Sequence, residues 1–233
     1  MGKRIIQQAR GHGSLSYRVR AKAFVIKLKY PNMNVEGEAE VIKLVHSAAH
    51  SAPLAKIKLG KHVFFNPANE GMYEGQKVIL GQAKQKGDIA KLKDIPVSMS
   101  IYNIENEPGD GGKLVRTAGS SAIIFKKEKN KIIVLMPSKK EKEFNENCRA
   151  TLGIIAGAGR LEKPIMKAGK MFYIKKTRNK LWPRTSAVKM NVVDHPFGSG
   201  RGKRIKSKIA KRNAPPGARV GLLRPKRTGR SKR

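Results

Sequence analysis

The chain has 233 residues, and its 51 lysine and arginine residues against 16 acidic residues give a formal net charge of +35. Self-repulsion at this charge disfavours a compact molecule on its own, so we expect a polyanion as the partner. The single cysteine, Cys148, excludes an internal disulfide framework, and no apolar run approaches the roughly 20 residues of a membrane helix, so no membrane partner is expected.

The charge is distributed unevenly along the chain. Residues 1–30 carry +8, residues 31–113 carry no net charge, residues 114–150 carry +5 and residues 151–200 carry +8. Residues 201–233 carry +14 without one acidic residue. A charge-balanced domain therefore lies between cationic ends, and ends of this kind indicate nucleic-acid binding rather than an ordinary solvated surface.

Short strands separated by turn residues follow a basic N-terminal arm, residues 1–34. Short or alternating apolar runs predict strands, in chain order, in VEGEAEVIKLV, PLAKIKL, GKHVFF, QKVILGQ, GDIAKLKDIP and VSMSIYNIE. Turn signals between strands, at a spacing of about 8–12 residues, are typical of a small closed sheet rather than a βαβ unit. We therefore predict a first β-barrel over residues 35–113.

The strand pattern restarts after the glycine-rich segment PGDGGK. The segment SAIIFKKEKNKIIVLMP predicts a hairpin with a charged tip, in which residues 123–125 face residues 132–135, and CRATLGIIAG predicts one more strand. The following GIIAGAGRLEKPIMKAGK lacks the spacing of a dinucleotide-binding motif, and no helix is predicted after it. We therefore predict a second small β-barrel over residues 114–178.

The C-terminal extension, residues 179–233, has a different composition. It is rich in Gly, Pro, Lys and Arg and has no aromatic residue after Phe197. Such a segment cannot bury enough apolar surface to fold alone. The expected fold class is therefore mostly β, with two tandem small barrels between extended basic N- and C-terminal arms.

Histidines and acidic residues give no pattern of a chemical site. His46 and His50 are four residues apart, but the sequence around them predicts strand and loop rather than one helical face, so we expect no metal site. Asp194 precedes His195, yet adjacent side chains of an extended chain point apart, and no nucleophile elbow accompanies them. We expect no catalysis and no cofactor. Pro196 and the glycines of VVDHPFGSG instead suit a backbone that lies against a sugar-phosphate surface.

Two motifs of the sequence each allow two interpretations. Trp182, in WPR between Lys180 and Arg184, is either a stacking surface for a base or ribose or a core or lid residue. The segment PGDGGK is either an ordinary turn between domains or a hinge whose backbone amides and Lys113 meet a phosphate. The sequence alone does not separate these alternatives.

Motifs along almost the whole chain resemble one family. They are, in order, GKRIIQQARGHGS, HSAPLAKIKL, NIENEPGDGGKLVRTAG, NCRATLGIIAGAGRLEKPIMKAGK, WPR, MNVVDHPFGSGRG, RNAPPGARVG and RPKRTGR. Together they resemble the universal large-subunit ribosomal protein L two family in its archaeal or eukaryotic form. The chain departs from the family in having GSG where three glycines are expected, and RGKRIK where a histidine-containing tract is expected.

The resemblance implies an OB-fold-like barrel followed by an SH3-like barrel, with both terminal extensions bound in large-subunit rRNA. It implies a cytoplasmic structural protein of the large ribosomal subunit that supports assembly, the peptidyl-transferase region and subunit association. Neighbouring ribosomal proteins and the small subunit are the further partners it implies. A chromatin-type packing protein is the alternative, and an enzyme comes third.

The expected rRNA contacts combine cations, glycines and polar groups of these motifs. They are Lys3, Arg4, Arg10, Gly11, Gly111, Lys113, Arg116, Arg160, Lys163, Lys167, Lys170, Trp182, Arg184, Asn191, His195, Gly198, Gly200, Arg201, Lys203, Arg204, Arg227 and Arg230.

Overall fold

The computed structural model describes residues 2–19, 24–202 and 209–223. The chain forms two compact units. The middle of the chain, Ala21–Pro164, forms the first, here called the β unit. Both ends of the chain, Met1–Arg20 and Ile165–Arg233, form the second, here called the terminal unit.

Ten strands among the described residues form one sheet in the β unit. They are β1 (Gly37–Val45), β2 (Leu54–Leu59), β3 (His62–Pro67), β4 (Lys77–Leu80), β5 (Ile89–Lys91), β6 (Ser100–Tyr102), β7 (Ala122–Glu128), β8 (Lys131–Leu135), β9 (Glu141–Asn145) and β10 (Arg149–Leu152). Their order across the sheet is β3-β2-β1-β4-β5-β10-β6-β7-β8-β9. Neighbours are antiparallel except β4 and β5, which pair in parallel.

The sequence patterns that predict strands are confirmed. In β1, Ala39 and Val41 are buried whereas Glu38 and Glu40 are exposed, which is the alternation expected of a sheet with one buried face. The predicted hairpin is β7 and β8, whose register pairs residues 123 and 124 with residues 135 and 134. The fold class, mostly β, is therefore as predicted.

Two hydrophobic clusters occupy the two halves of the sheet. The first consists of Tyr30, Ala39, Val41, Ala55, Ile57, Leu59, Phe64, Ala68, Met72, Val78, Leu80 and Ile89. The second consists of Ala90, Leu92, Ile95, Ile101, Ile104, Ala122, Ile124, Ile132, Val134, Phe144, Cys148, Ala150 and Leu152. The change from one cluster to the other falls within β5, and the domain boundary at residues 113/114 stays a prediction.

The described residues also contain two α-helices, α1 (Ile6–Gly11) and α2 (Ala168–Thr177), both in the terminal unit. The expectation of no helix after the glycine-rich segment 153–170 is wrong, because α2 begins at Ala168. None of the α2 residues is buried. The helix therefore lacks the stripe of apolar residues, spaced by 3.6 residues, from which a helix is predicted in a sequence. Neither described helix is long and apolar enough to cross a membrane.

Candidate nucleic-acid interface

The terminal unit contains a dense set of cations. It contains 27 of the 51 lysine and arginine residues but one of the 16 acidic residues, Asp194. Among the described residues of this unit, only Ile5 and Gly198 are buried. Among the described cations of this unit, none is buried and the one ion pair joins Lys3 to Asp194, so most of their positive charge lies at the surface without a partner, as a surface that binds phosphates requires.

Residues 190–200 form a tightly wound loop on this surface. The carbonyl oxygen of Asn191 accepts a hydrogen bond from the His195 amide at 3.2 Å, and the His195 carbonyl accepts one from the Gly198 amide at 2.8 Å. The Ser199 amide donates to the Met190 carbonyl at 2.9 Å and closes the loop. Backbone hydrogen bonds thus fix the shape of a loop that buries little apolar surface.

Two glycines of this loop are required for different reasons. A Cβ atom at Gly198 would lie 2.3 Å from the carbonyl oxygen of Asn191 and 2.5 Å from that of Met190, which is far inside van der Waals contact. A Cβ atom at Gly200 would meet nothing within 4 Å, but its φ of +94° is a conformation that residues with a side chain rarely adopt. Gly198 is therefore needed for close approach, and Gly200 for its backbone angle.

His195 presents a hydrogen-bond donor from this loop. The Phe197 amide donates to Nδ1 of His195 at 3.0 Å. Because Nδ1 accepts, the proton of the neutral ring resides on Nε2. Burial lowers the pKa of His195 below its usual 6.5, so the ring is neutral near pH 7. An Nε2–H group of this kind can donate to a phosphate, a 2′-hydroxyl or a base edge, and it cannot act as a base without first losing the Phe197 hydrogen bond.

The carboxylate next to this histidine has another partner. Asp194 Oδ1 lies 3.6 Å from Lys3 Nζ; the Lys3 side chain is largely exposed and that of Asp194 about half-exposed. The Lys3 amide also donates to the Val193 carbonyl at 2.8 Å, which ties the start of the chain to the loop. Asp194 thus neutralises a cation instead of orienting His195, as a catalytic triad would require.

The N-terminal segment contributes to two clefts of the terminal unit. A cleft of about 510 Å³ is lined by Arg4, Ile6, Ala9, Thr185, Lys189, Met190, Asn191 and Asp194. A second cleft of about 510 Å³ is lined by Arg4, Ile5, Gln7, Gln8, Gly11, His12, Gly217 and Arg219. The structure therefore brings Arg4 together with Gly11 in one cleft and with Asn191 in the other, whereas Arg10 lies in the last turn of α1.

The glycine-rich turn of the β unit is held by a buried carboxylate. Glu105 is fully buried, and it accepts hydrogen bonds from the amides of Gly109 at 3.3 Å and Gly111 at 3.0 Å. Its Oε1 atom also lies 2.9 Å from a guanidinium nitrogen of Arg149. Because these amides already have an acceptor inside the chain, the arrangement favours the interpretation of PGDGGK as a structural turn. An rRNA contact at Gly111 stays a prediction.

The two cations beside this turn differ in their environments. Lys113 is exposed, with Nζ 3.3 Å from a carboxylate oxygen of Asp110. Arg116 is half-buried and donates from Nε to the side-chain oxygen of Asn103 at 2.8 Å and from a terminal nitrogen to the Leu28 carbonyl at 3.0 Å. Burial lowers the pKa of Arg116. Lys113 can meet a phosphate directly, whereas Arg116 is committed to internal carbonyl groups.

A buried polar network near this turn was not predicted from the sequence. The Tyr30 hydroxyl donates to the Asn103 carbonyl at 2.7 Å, and its oxygen lies 2.7 Å from the Thr151 hydroxyl. The Asn66 side chain donates to the same Thr151 hydroxyl at 3.0 Å and accepts from the Asn103 amide group at 2.8 Å. The only sequence feature that could have indicated this network is the presence of asparagine and threonine in or next to apolar strands. No local pattern shows which of these side chains form hydrogen bonds with one another.

The remaining expected contacts fall outside residues 190–200 in the sequence. The exposed Arg160 and Lys163 belong to the β unit, and Arg160 lies in a short 3-10 turn. Positions in the terminal unit are exposed except for the half-buried Trp182; these are Lys167, Lys170, Trp182, Arg184 and Arg201. Four expected contacts lie outside the described residues, namely Lys203, Arg204, Arg227 and Arg230.

The two histidines considered for metal binding lie in the β unit. His50 Nδ1 is 2.8 Å from the Ser47 hydroxyl oxygen, and its ring packs edge-on against Phe24. Within the described part of the chain, no three His, Cys, Asp or Glu side chains are grouped as metal ligands. The expectation of no metal site stays a prediction.

Comparison with known proteins extends over the whole chain. Residues 85–217 match a family model described as Ribosomal Proteins L2, C-terminal domain. Three archaeal relatives carry the name large ribosomal subunit protein uL2. The Hyperthermus butylicus protein is 44% identical, covering 100% of both chains. The Archaeoglobus fulgidus protein is 42% identical over 98% of this chain and 99% of its own, and the Korarchaeum cryptofilum protein is 39% identical over 100% and 98%.

Proposed function

The chain belongs to the ribosomal protein L2 family, and from this premise we propose that it is a structural constituent of the large ribosomal subunit that binds large-subunit rRNA. The observation that carries the proposal is the 39–44% identity to the three uL2 proteins over at least 98% of each chain. It is not an enzyme.

The physical mechanism is electrostatic and geometric. Exposed cations of the terminal unit neutralise closely packed phosphates and release their counterions. The loop 190–200 adds a rigid backbone and the Nε2–H donor of His195, which suits a phosphate or a 2′-hydroxyl. Folded RNA is recognised largely by its shape and by its 2′-hydroxyl groups, and the β unit supplies a stable surface for this recognition.

The proposed partners are large-subunit rRNA and neighbouring ribosomal proteins, in a ribosome of the cytoplasm. Within the subunit, the chain supports assembly and the peptidyl-transferase region, and it contributes to contact with the small subunit. We assign rRNA anchorage to the arms 1–34 and 179–233. The OB-fold-like barrel, residues 35–113, and the SH3-like barrel, residues 114–178, provide the folded body.

Sucrose-gradient fractionation of a cell lysate tests this function. The chain should sediment with large subunits and with whole ribosomes, and RNase treatment should release it whereas DNase treatment should not. A chromatin-type packing protein needs charge but no fixed loop such as residues 190–200. Sedimentation with bulk DNA, and release by DNase alone, would contradict the proposal.

A further inference from the structure

A small cleft in the terminal unit combines aromatic and cationic side chains. Its volume is about 210 Å³, and three of the residues that line it are the aromatic Tyr17, Phe172 and Trp182. The other described residues that line it are Ser16, Lys176, Asn179, Lys180 and Leu181. None of these lining residues is acidic. The cleft therefore offers flat apolar surfaces beside positive charge.

The helix α2 leaves its aromatic side chains exposed to solvent. Phe172 is 42% exposed and Tyr173 is 66% exposed, and α2 buries none of its residues. Trp182 is half-buried. Large rings on an otherwise cationic surface contribute little to a core here, and such exposed rings commonly mark a binding site. The composition of the helix is thus better explained by a ligand than by packing.

Two hydrogen bonds hold the segments that line the cleft in place. The Asn179 side-chain amide donates to the Arg18 carbonyl, which ties the segment carrying Tyr17 to the end of α2. The Lys180 amide donates to the Lys175 carbonyl at 2.9 Å and turns the chain towards Trp182. The rings therefore converge through contacts between segments that are about 160 residues apart in the sequence.

The charge around the rings selects an anionic ligand. Lys176 Nζ lies 5.9 Å from the centre of the Phe172 ring, and Lys180 lines the same cleft. Asp194, the one acidic residue of the terminal unit, pairs with Lys3 instead. A ligand that fits this site has a flat aromatic face and a negative charge a few ångströms away. A nucleotide has both.

We propose that this cleft binds one unpaired nucleobase of RNA, stacked against Phe172 and Trp182, with an adjoining phosphate near Lys176 and Lys180. The proposal rests on the proposed function, since it names the part of the RNA that this site recognises. Stacking on aromatic side chains is the usual way in which proteins hold unpaired bases, and it tolerates any base.

Trp182 is the only tryptophan of the chain, so its fluorescence reports directly on the cleft. The full-length protein is titrated with an octauridylate and with an abasic ribose-phosphate oligomer of the same length and charge. We expect the octauridylate to quench Trp182 emission and to bind about tenfold more tightly, because stacking contributes roughly 1–3 kcal/mol per base. The abasic oligomer should bind through charge alone, without quenching.

Matched variants assign the effect to the cleft. Phe172→Leu should remove most of the difference in affinity between the octauridylate and the abasic oligomer. Tyr73→Leu, at an exposed tyrosine of the β unit, should leave that difference unchanged. Lys176→Gln should weaken binding of both oligomers more than Lys175→Gln, because Lys175 does not line the cleft.

Equal affinity for the two oligomers, with unchanged Trp182 emission, would overturn the cleft proposal. The proposed function would survive that result, because sedimentation with large subunits measures it separately. Absence of the chain from ribosomal fractions would overturn the proposed function itself.

Discussion

The β unit and the terminal unit are stabilised in different ways. The β unit contains 24 basic and 15 acidic residues, buries two hydrophobic clusters and pairs surface charges such as Lys77 with Glu38. The terminal unit contains 27 basic residues and one acidic residue, and the part of it that the structure describes buries little beyond Ile5 and Gly198. The first unit pairs several of its cations internally and keeps a net charge of +9, whereas the second has one acidic residue and requires anions from a partner.

We expect the largest difference between the two units in their rates of cleavage by a protease, measured on the isolated protein. Trypsin should cut the terminal unit many times faster than the β unit, because exposed lysines and arginines with few buried contacts lie in its described segments. A fragment close to residues 21–164 should persist, and added rRNA should slow the cleavage of the terminal unit. Early loss of the β unit with the terminal unit intact would reverse the comparison.

Glu105→Ala should destabilise the β unit by about 3–5 kcal/mol, because it leaves the Arg149 guanidinium buried without its carboxylate. Urea unfolding of the full-length protein measures the change. The control is Glu107→Ala, at an exposed position two residues away, for which we expect a change within about 0.5 kcal/mol. Equal effects of the two substitutions would show that the Glu105–Arg149 pair does not stabilise the fold.

Gly198→Ala should weaken rRNA binding by tenfold or more without changing the urea midpoint of the β unit. The added Cβ clashes with two backbone carbonyl groups of the loop, and the loop must change shape to relieve the clash. Gly200→Ala introduces no clash, and its only cost is the strain of an alanine at positive φ, about 1–2 kcal/mol. It should therefore reduce the affinity for rRNA less. Filter binding of an rRNA fragment gives both affinities, and a harmless Gly198→Ala would contradict the required loop shape.

The salt dependence of rRNA binding should distinguish the cations of the two units. Lys170→Gln with Arg184→Gln should reduce the slope of log K against log salt by roughly 0.7–0.9 per lost phosphate contact. Lys77→Gln with Lys131→Gln removes the same charge, but these lysines pair with Glu38 and Glu143, so the slope should stay the same. An equal reduction by both double variants would indicate binding through net charge alone.

His195 should titrate below its usual pKa of 6.5, with the neutral ring protonated on Nε2. A pKa lowered in the folded state means that the neutral ring is favoured there. The loop should therefore be fully stable above pH 6.5 and lose stability as the pH falls below that value. Nitrogen-detected NMR of the imidazole measures both the pKa and the tautomer, and a proton on Nδ1 at pH 7 would contradict the Phe197 hydrogen bond.

The role of His195 in the assembled subunit follows from the same geometry. His195→Ala removes the donor and should reduce incorporation into large subunits, whereas His195→Gln keeps an N–H group and should retain more of it. Purified subunits with full occupancy of either variant should still catalyse peptidyl transfer. Loss of the chemistry by several orders of magnitude in subunits of normal composition would identify His195 as a catalytic base.

Local sequence patterns predicted the hairpin of β7 and β8, the family, and every described strand except β9. Burial of one face of a sheet requires a local alternation, so Ala39 and Val41 are visible as inward positions without any knowledge of the fold. The uneven charge is also a property of the chain alone. Helix α2 was not predicted because it buries none of its residues. A helix without a buried face need not have apolar residues at a spacing of 3.6 residues, which is the pattern that predicts a helix.

Contacts between residues far apart in the sequence became visible in the folded chain. Glu105 and Arg149 are 44 residues apart, and no local pattern indicated that the pairing of the strands would bring them together. Gly198 and Gly200 looked equivalent, but the crowding of Gly198 by the Asn191 carbonyl follows from the winding of the loop. Local patterns encode burial and charge because these act within a few residues. Contacts between distant residues depend on register and loop path, which no local pattern records.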